Sequence, residues 1–232
     1  MHLRLSHLNC ALGFLSSWSI KLTMKFDLTI EQYEVVYRVV SSLGAKFSHG
    51  VGSSCQFYNV NAAFIINNLF NIKARPVMGA YFILLNDERF ILSYAEMQDG
   101  KFYSSPKGFH CWVETDDFFI DFTAPEYSES AACRQHSKVI PKKMFQKNKM
   151  SISANPHSLN DVGDFYLREN VELTEHLIDK INLNSGNRDM AEISLHWAKE
   201  ILENNIMSLS LTDDLGKVSN INLINSNLVS AW

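Results

Sequence analysis

The chain of 232 residues has the length of one ordinary globular domain, and its 46% apolar content can bury a core without disulfide or metal staples. The net charge is −4 with acidic and basic residues interspersed, which excludes the basic patch that nucleic acid or an anionic membrane requires. Four cysteines without regular spacing exclude a disulfide scaffold, so we expect a reducing, cytoplasmic compartment.

The first 23 residues are interpreted separately from the rest. The stretch 8–20 is mildly apolar, too short to span a bilayer, and lacks a convincing small-residue cleavage site. Met24 opens a more ordinary beginning. We therefore interpret residues 1–23 as an extension outside the core, with a poor signal peptide as the alternative, and residues 24–232 as a single domain.

Two helices are predicted next along the chain. Thr29 and Gln32 form a capping-box pattern, and apolar residues then recur at helical spacing as far as Gly44, where the helix is predicted to end. The segment 55–71 is apolar on more than one face. That pattern predicts a helix buried in the middle of the domain.

An antiparallel sheet and further helices follow. Segments rich in β-branched and aromatic residues predict strands over 76–85 and 89–97 and a strand pair within 109–123, with turns at 86–88, 99–100 and 116–117. A C-terminal helical part is predicted from about residue 165, with helices over 171–181 and 189–202, and the tail from Asn204 has no assignment. The fold class is therefore α+β, a buried helix packed on an antiparallel sheet.

The predicted turn at 116–117 decides which residues of the strand pair share a face. With a two-residue turn, Trp112 faces Asp121, and side chains alternate between the faces. One face then carries an apolar set: Phe109, Cys111, Val113, Phe118, Ile120 and Phe122. His110 and Asp121 lie together on the other face, about 7–8 Å apart at the backbone. A three-residue turn would place them on opposite faces.

Cys55 is the candidate nucleophile. It follows Gly52-Ser53-Ser54 and opens the most apolar predicted helix, where unsatisfied N–H groups and the helix dipole favour a thiolate. Thiol pKa values fall from about 8.5 toward 3.5–7.5 at such positions, especially beside a histidine. A thiol, a histidine that takes its proton and a carboxylate that orients the histidine are the groups that nucleophilic catalysis needs. An inert, packed cysteine is the alternative.

The segment HCWVETDDFFIDFTAP at 110–125 resembles the histidine–aspartate segment of transglutaminase-like proteins, where a His-x-Trp-x-Glu strand leads to an Asp-x-Thr strand. That superfamily also places its cysteine upstream, at the start of a buried helix, and papain-like enzymes share the order Cys, His, Asp. The resemblance covers roughly residues 47–125. It implies a transglutaminase-like or papain-like core, with Cys55 as nucleophile, His110 as general base and acid, and Asp121 as orienting carboxylate.

The chain departs from the related families at two places. Papain-like peptidases keep an oxyanion-donating glutamine about six positions before the cysteine, where this chain has His49. The oxyanion hole would have to use the backbone N–H of Cys55 and a side chain that the sequence does not identify. CQFYN at 55–59 is similar to the cysteine helix of arylamine N-acetyltransferases, but their arginine-glycine-glycine lead-in and later glycine-rich segment are absent.

Other candidate residues have weaker claims. Trp112 is a candidate substrate-binding wall beside His110, with packing under the C-terminal helices as the alternative. Cys111 falls on the apolar face and is predicted to be inert core, and Glu114, close to the turn, is predicted to be solvated. His49 is an alternative base, close to Cys55 in sequence.

No metal or cofactor is expected. Cys133 and His136 have a Cys-x-x-His spacing, but no second pair stands at zinc-finger distance. No Gly-rich phosphate loop or dinucleotide fingerprint is present. His157, His176 and His196 lie in polar or helical contexts and are interpreted as structural.

The leading functional hypothesis is cysteine-dependent acyl transfer through a thioester. The thiolate attacks an amide or ester carbonyl, for example of a peptide or protein; water then gives a peptidase or amidase, and an amine gives a transglutaminase-like acyltransferase. The alternatives are a non-catalytic binding or accessory module on the same fold and an arylamine N-acetyltransferase-like enzyme. Neither nucleic acid nor a membrane is an expected partner, and the sequence leaves the oligomeric state open.

Overall fold

The computed structural model describes residues 26–47, 54–130 and 140–232, so the predicted extension at 1–23 lies outside the described part. Helices α1 (Ile30–Phe47) and α2 (Ser54–Leu69) come first. Six strands follow: β1 (Arg75–Leu84), β2 (Ile91–Tyr94), β3 (Glu96–Gln98), β4 (Lys101–Tyr103), β5 (His110–Glu114) and β6 (Phe118–Asp121).

The second half of the chain begins with a 3-10 helix, Ala124–Glu129, and ends in short strands. Between them lie β7 (Lys143–Asn148), β8 (Phe165–Glu169), α3 (Val171–Asn182) and α4 (Ser185–Asn204), with two further 3-10 turns at Lys149–Ser151 and Pro156–Ser158. The last strands are β9 (Ser208–Thr212), β10 (Val218–Asn222) and β11 (Ser230–Ala231).

The main sheet has the strand order β11-β7-β6-β5-β1-β2, with β8 also paired to β1. Its pairs are antiparallel except for the parallel pair of β11 with β7. The hairpins β3–β4 and β9–β10 form separate two-stranded sheets. This arrangement confirms the predicted α+β class with an antiparallel-dominated sheet.

The β5–β6 hairpin has the predicted register. Val113 pairs with Ile120 and Glu114 with Phe119, and the N–H of Thr115 donates to the carbonyl of Phe118 at 3.0 Å. The turn therefore has two residues, Asp116 and Asp117, as its composition indicated. His110 and Asp121 consequently share a face, which is the condition for the candidate site.

The two faces of this hairpin belong to different parts of the core. One face packs with α1, α2 and α4 in an apolar cluster that includes Val113, Ile120, Phe122 and Trp197. The other face joins β1, β7 and β8 in an aromatic cluster. Burial of each large apolar side chain contributes about 1.5–3 kcal/mol, so both clusters stabilise the hairpin from opposite sides.

The prediction that the first helix ends near Gly44 is wrong. Helix α1 runs on to Phe47, and Gly44 is buried within it. A Cβ atom at Gly44 would lie 2.5 Å from the ring of Tyr58 in α2. The glycine therefore permits close packing between the two helices and does not mark a helix end.

The prediction of a helical C-terminal part from about residue 165 is also wrong at its start. Residues Phe165–Glu169 form β8, which pairs with β1 through Gly79 to Ile83. A Cβ atom at Gly79 would lie 2.1 Å from the carbonyl oxygen of Arg168, so glycine is required where the strands approach. The two predicted helices are confirmed as α3 and α4.

The predicted turns at 86–88 and 99–100 are confirmed, and the segment predicted as one strand over 89–97 is divided. β2 pairs with β1 from Leu84↔Ile91, and β3 then turns at Asp99 and Gly100 into β4, a strand that the sequence did not predict. Asp99 and Gly100 have φ values of 51° and 72°, as a tight two-residue hairpin turn requires.

Candidate active site

Cys55 lies in the first turn of α2 and is partly exposed. The N–H groups of a first helical turn have no intrahelical acceptor, and the positive end of the helix dipole lies there. No acidic residue stands in this first turn to oppose a thiolate. The position therefore suits a nucleophilic sulfur atom at the protein surface.

His110 and Asp121 are in direct contact. The Nε2 atom of His110 lies 2.7 Å from Oδ2 of Asp121, and both side chains are almost fully buried, with 3% and 0% exposure. His110 opens β5 and Asp121 closes β6, so the hairpin register brings them together. Although burial opposes its ionised form, the interaction with His110 holds the pKa of Asp121 below its usual value.

Four further hydrogen bonds hold the Asp121 carboxylate. Its Oδ1 accepts from Nδ2 of Asn59 at 3.0 Å and from both the N–H and the hydroxyl of Thr123, at 2.8 and 2.6 Å. Its Oδ2 also accepts from the Tyr127 hydroxyl at 2.6 Å. A carboxylate with this many donors stays ionised and fixed in one orientation.

The ring orientation of His110 assigns a role to each nitrogen. Nε2 faces the acceptor-only carboxylate of Asp121 and therefore carries a hydrogen, which leaves Nδ1 for a second partner. Burial lowers the pKa of His110, but the charge and hydrogen bond of Asp121 and the adjacent Cys55 side chain outweigh it and raise this pKa to about 10. Cys55 and His110 thus interact electrostatically.

Three tyrosine side chains surround the imidazole of His110. The Tyr94 ring stacks on it with centroids 4.6 Å apart and 14° between the planes, and the Tyr81 ring meets it edge-on at 4.6 Å. Tyr127 lies farther away, at 6.5 Å, and its hydroxyl is hydrogen-bonded to that of Tyr81. An aromatic face next to an imidazolium favours its positive charge.

Asn59, one helical turn after Cys55, is a second polar residue of α2 that reaches the hairpin. Its side chain is fully buried and bonded to the backbone of Cys111 in β5 and of Phe122, the residue after β6, as well as to the Asp121 carboxylate. Neither Asn59 nor Tyr81, Tyr94 and Tyr127 could be recognised as site residues from the sequence. The signal of Asn59 in the sequence was an amide one helical turn after the cysteine, which Gln56 and Asn61 in the same helix make hard to single out; the tyrosines carry no comparable local signal.

Trp112 neither lines a surface that a substrate can reach nor packs under the C-terminal helices. It is fully buried in the aromatic cluster with Tyr81 and Phe119, on the face away from the helices, so a substrate cannot touch it. Its indole N–H donates to Glu114 at 3.2 Å. Glu114 is not solvated as predicted: it is 12% exposed and forms ion pairs with Arg75 and Lys149.

The remaining candidates are inert or lie elsewhere. Cys111 is fully buried on the apolar face, as predicted, and burial raises the pKa of its thiol. His49, Cys133 and His136 lie outside the described residues. His157, His176 and His196 are exposed on the surface.

The structure describes the ranges 26–47, 54–130 and 140–232. Within them, no group of three or more His, Cys, Asp or Glu side chains is placed to hold a metal ion. In the same ranges, every helix is too short or too polar to cross a bilayer.

A family model and a solved structure are similar to the chain. A family model described as "Protein of unknown function (DUF2026)" matches residues 29–232. A solved structure, "The crystal structure of genomics APC5867", is similar with a TM-score of 0.79 and 28% identity, covering 89% of this chain and 98% of the other. None of the curated proteins compared with the chain matches it.

Proposed function

Because the chain belongs to the DUF2026 family of proteins of unknown function, we propose from the site alone that it is a cysteine-dependent acyl-transfer enzyme. Cys55 is the nucleophile, His110 its acid and base, and Asp121 the orienting carboxylate. One observation carries the proposal: a buried, hydrogen-bonded His110–Asp121 pair whose imidazole interacts with a partly exposed cysteine at a helix start.

The charge state of the site supports attack by a thiolate. With a pKa of about 10, His110 is an imidazolium at neutral pH, and a positive imidazolium beside a thiol stabilises the thiolate. In the first step the Cys55 sulfur forms a bond to the substrate carbonyl carbon, and the carbonyl oxygen becomes an oxyanion. The backbone N–H of Cys55 is available as one donor to that oxyanion.

The second step breaks the amide or ester bond. His110 transfers a proton from Nδ1 to the leaving nitrogen or oxygen, and a thioester on Cys55 remains. Water or an amine then attacks the thioester, His110 takes a proton from the attacking group, and the sulfur departs as thiolate. Asp121 remains ionised throughout and keeps Nδ1 directed toward the reacting groups.

The core type, the substrate class and the location in this proposal follow the resemblance of residues 47–125 to transglutaminase-like and papain-like enzymes. The packing of α2 against β5 and the chain order Cys55, His110, Asp121 support a transglutaminase-like or papain-like core. An amide- or ester-bearing substrate and a cytoplasmic location remain parts of this proposal. The choice between hydrolysis and amine transfer depends on which group reaches the thioester.

The proposal is tested by trapping the thioester with p-nitrophenyl acetate, an activated ester. The wild type should release p-nitrophenol in a burst, and mass spectrometry of the digested protein should find the acetyl group on Cys55. Cys55→Ala should abolish both signals. Cys111→Ala is the matched control, because it removes the buried cysteine of the apolar face and should retain the burst.

A contrary result is equally definite. If Cys55→Ala retains the wild-type burst, or if Cys55 remains unacetylated while Cys111 or a lysine carries the label, the site is not an acyl-transfer centre. The hypothesis of a non-catalytic binding module would then take its place.

A further inference from the structure

The side chain of Asn59 joins the elements that carry the three proposed catalytic residues. Its Nδ2 donates to the carbonyl of Cys55 at 3.1 Å, to the carbonyl of Cys111 at 2.8 Å and to Oδ1 of Asp121 at 3.0 Å. Its Oδ1 accepts from the N–H of Phe122 at 3.0 Å. One amide therefore bonds to the backbone of the proposed nucleophile, to the residue after His110, and to both Asp121 and the residue after it.

The orientation of this amide is determined by its surroundings. Three acceptor oxygens face one end, and one N–H group faces the other, so a flipped amide would oppose oxygen to oxygen and N–H to N–H. Nδ2 has two hydrogens for three acceptors, so one hydrogen is shared between two of them. The side chain is fully buried, and all four contacts are made without solvent.

We propose that Asn59 is a positioning residue that sets the separation of Cys55 from His110 by clamping the first turn of α2 onto the β5–β6 hairpin. This inference rests on the proposed function. The hydrogen bonds of Asn59 go to the carbonyl of Cys55, to the carbonyl of Cys111 next to His110, and to the carboxylate that orients the imidazole, so Asn59 acts through these groups.

A neutral amide suits this position better than a carboxylate of the same shape. Aspartate would retain an acceptor for the Phe122 N–H but would lose both donors and oppose a second negative charge to Asp121. Asn59→Asp therefore removes the hydrogen-bond donors of the side chain but keeps its shape. It should impair the site although the side chain occupies the same volume.

The chain contains a matched control in the same helix. Asn61 is also buried, at 4% exposure, and its Nδ2 donates to the carbonyl four residues earlier, Phe57, at 2.7 Å. Asn61→Ala therefore removes an equivalent i to i−4 side-chain bond from α2. This hydrogen bond stays within α2 and reaches neither the hairpin nor Asp121.

The test is the rate of iodoacetamide alkylation of Cys55 in the full chain as a function of pH, read from the cysteine-containing peptides by mass spectrometry. Hydrogen bonds to a buried charged group are strong enough that Asn59→Ala and Asn59→Asp should each slow alkylation at neutral pH by about tenfold or more. Asn61→Ala should keep the wild-type pH profile. The pKa of His110, followed by NMR, should fall from its wild-type value in Asn59→Ala only.

The outcomes separate this inference from the function on which it rests. If Asn59→Ala and Asn61→Ala have the same alkylation profile and the same His110 pKa, Asn59 is a structural residue and the inference is overturned. If Asn59→Ala does not fold, Asn59→Asp decides, since an unchanged profile in that variant also overturns the inference. If the proposed function is wrong, the wild type will form no thioester on Cys55. The NMR measurement of the His110 pKa then tests the role of Asn59 by itself.

Discussion

At the end of the β5–β6 hairpin that carries His110 and Asp121, the two faces have opposite chemistry although they alternate residue by residue. His110 and Asp121 are hydrogen-bonded to each other, and Asp121 also to Asn59, Thr123 and Tyr127, whereas their chain neighbours Cys111 and Ile120 are buried on the apolar face. On the first face, geometry is set by directional hydrogen bonds. On the second face, the side-chain positions are set by how the apolar groups fill the available volume.

The apolar face therefore affects mainly the stability of the fold, and the polar face affects mainly the chemistry of the site. The apolar face holds the hairpin against the helices and tolerates no loss of volume without a loss of free energy of unfolding. The polar face holds one imidazole in one orientation, and its groups must be paired because unpaired buried charges are costly. Substitutions on the apolar face should therefore lower the free energy of unfolding, whereas substitutions on the polar face should lower the reactivity of Cys55.

The largest effect on chemistry is expected for His110→Gln. Glutamine can still donate to Asp121 but cannot exchange a proton with Cys55 or a leaving group, so Cys55 acetylation by p-nitrophenyl acetate should slow by about 10²–10⁴-fold. Stopped-flow detection of p-nitrophenol measures this rate. An unchanged burst in a folded His110→Gln protein would remove His110 from the mechanism.

The largest effect on stability is expected on the other face. Ile120 is fully buried, and Ile120→Ala should lower the free energy of unfolding by about 2–5 kcal/mol through lost burial and a residual cavity. Urea denaturation measures this change. Below the unfolding transition, the pH profile of Cys55 alkylation should match that of the wild type; a shifted profile would show that the two faces are not independent.

The third prediction concerns pH. The pKa of His110 is raised in the folded protein from 6.5 to about 10, because Asp121 and Cys55 outweigh burial, so its pairing stabilises the fold fully below about pH 6.5 and is lost as the pH rises through 10. The pKa of Asp121 is lowered below 3.8, so its contribution is present above that pH and is lost as the pH falls.

Urea unfolding at a series of pH values checks this prediction. Between pH 6.5 and 10, the free energy of unfolding of the wild type should fall more steeply than that of Asp121→Asn, which lacks the charge that raises the His110 pKa. Equal slopes in the two proteins would mean that the imidazolium is not stabilised by Asp121.

A smaller effect is expected for Tyr127→Phe. It removes a donor to Oδ2 of Asp121 and the hydroxyl partner of Tyr81 but retains the ring, so the free energy of unfolding should fall by about 1.5–3 kcal/mol. Acetylation of Cys55 should persist, because His110 still bonds to the same carboxylate. Complete loss of acetylation would give Tyr127 a direct role that its position does not suggest.

The parts of the molecule that the sequence predicted are those with local causes. The hairpin register follows from a two-residue turn between alternating strands, and that alone brings His110 and Asp121 onto one face. Helix α2 follows from apolar residues on more than one of its faces. Both features depend on residues within one short segment.

The parts that were missed depend on distant partners. β8 is a strand because β1 offers it an edge, and no local pattern distinguishes its sequence from the start of the helical region that follows. Trp112 was read as a site wall because alternation gives its face, but not what covers that face. The Asp121 donors come from a helix, a loop and a 3-10 helix, which only the folded chain brings together.

The ionic coupling of Cys55 and His110 is the central claim, and NMR titration of the His110 ring tests it most directly. In the wild type, the imidazole should remain protonated through neutral pH with a pKa of about 10, and Cys55→Ala should lower that pKa because the sulfur contributes to the shift. A His110 pKa near 6.5 that is the same in both proteins would contradict the account.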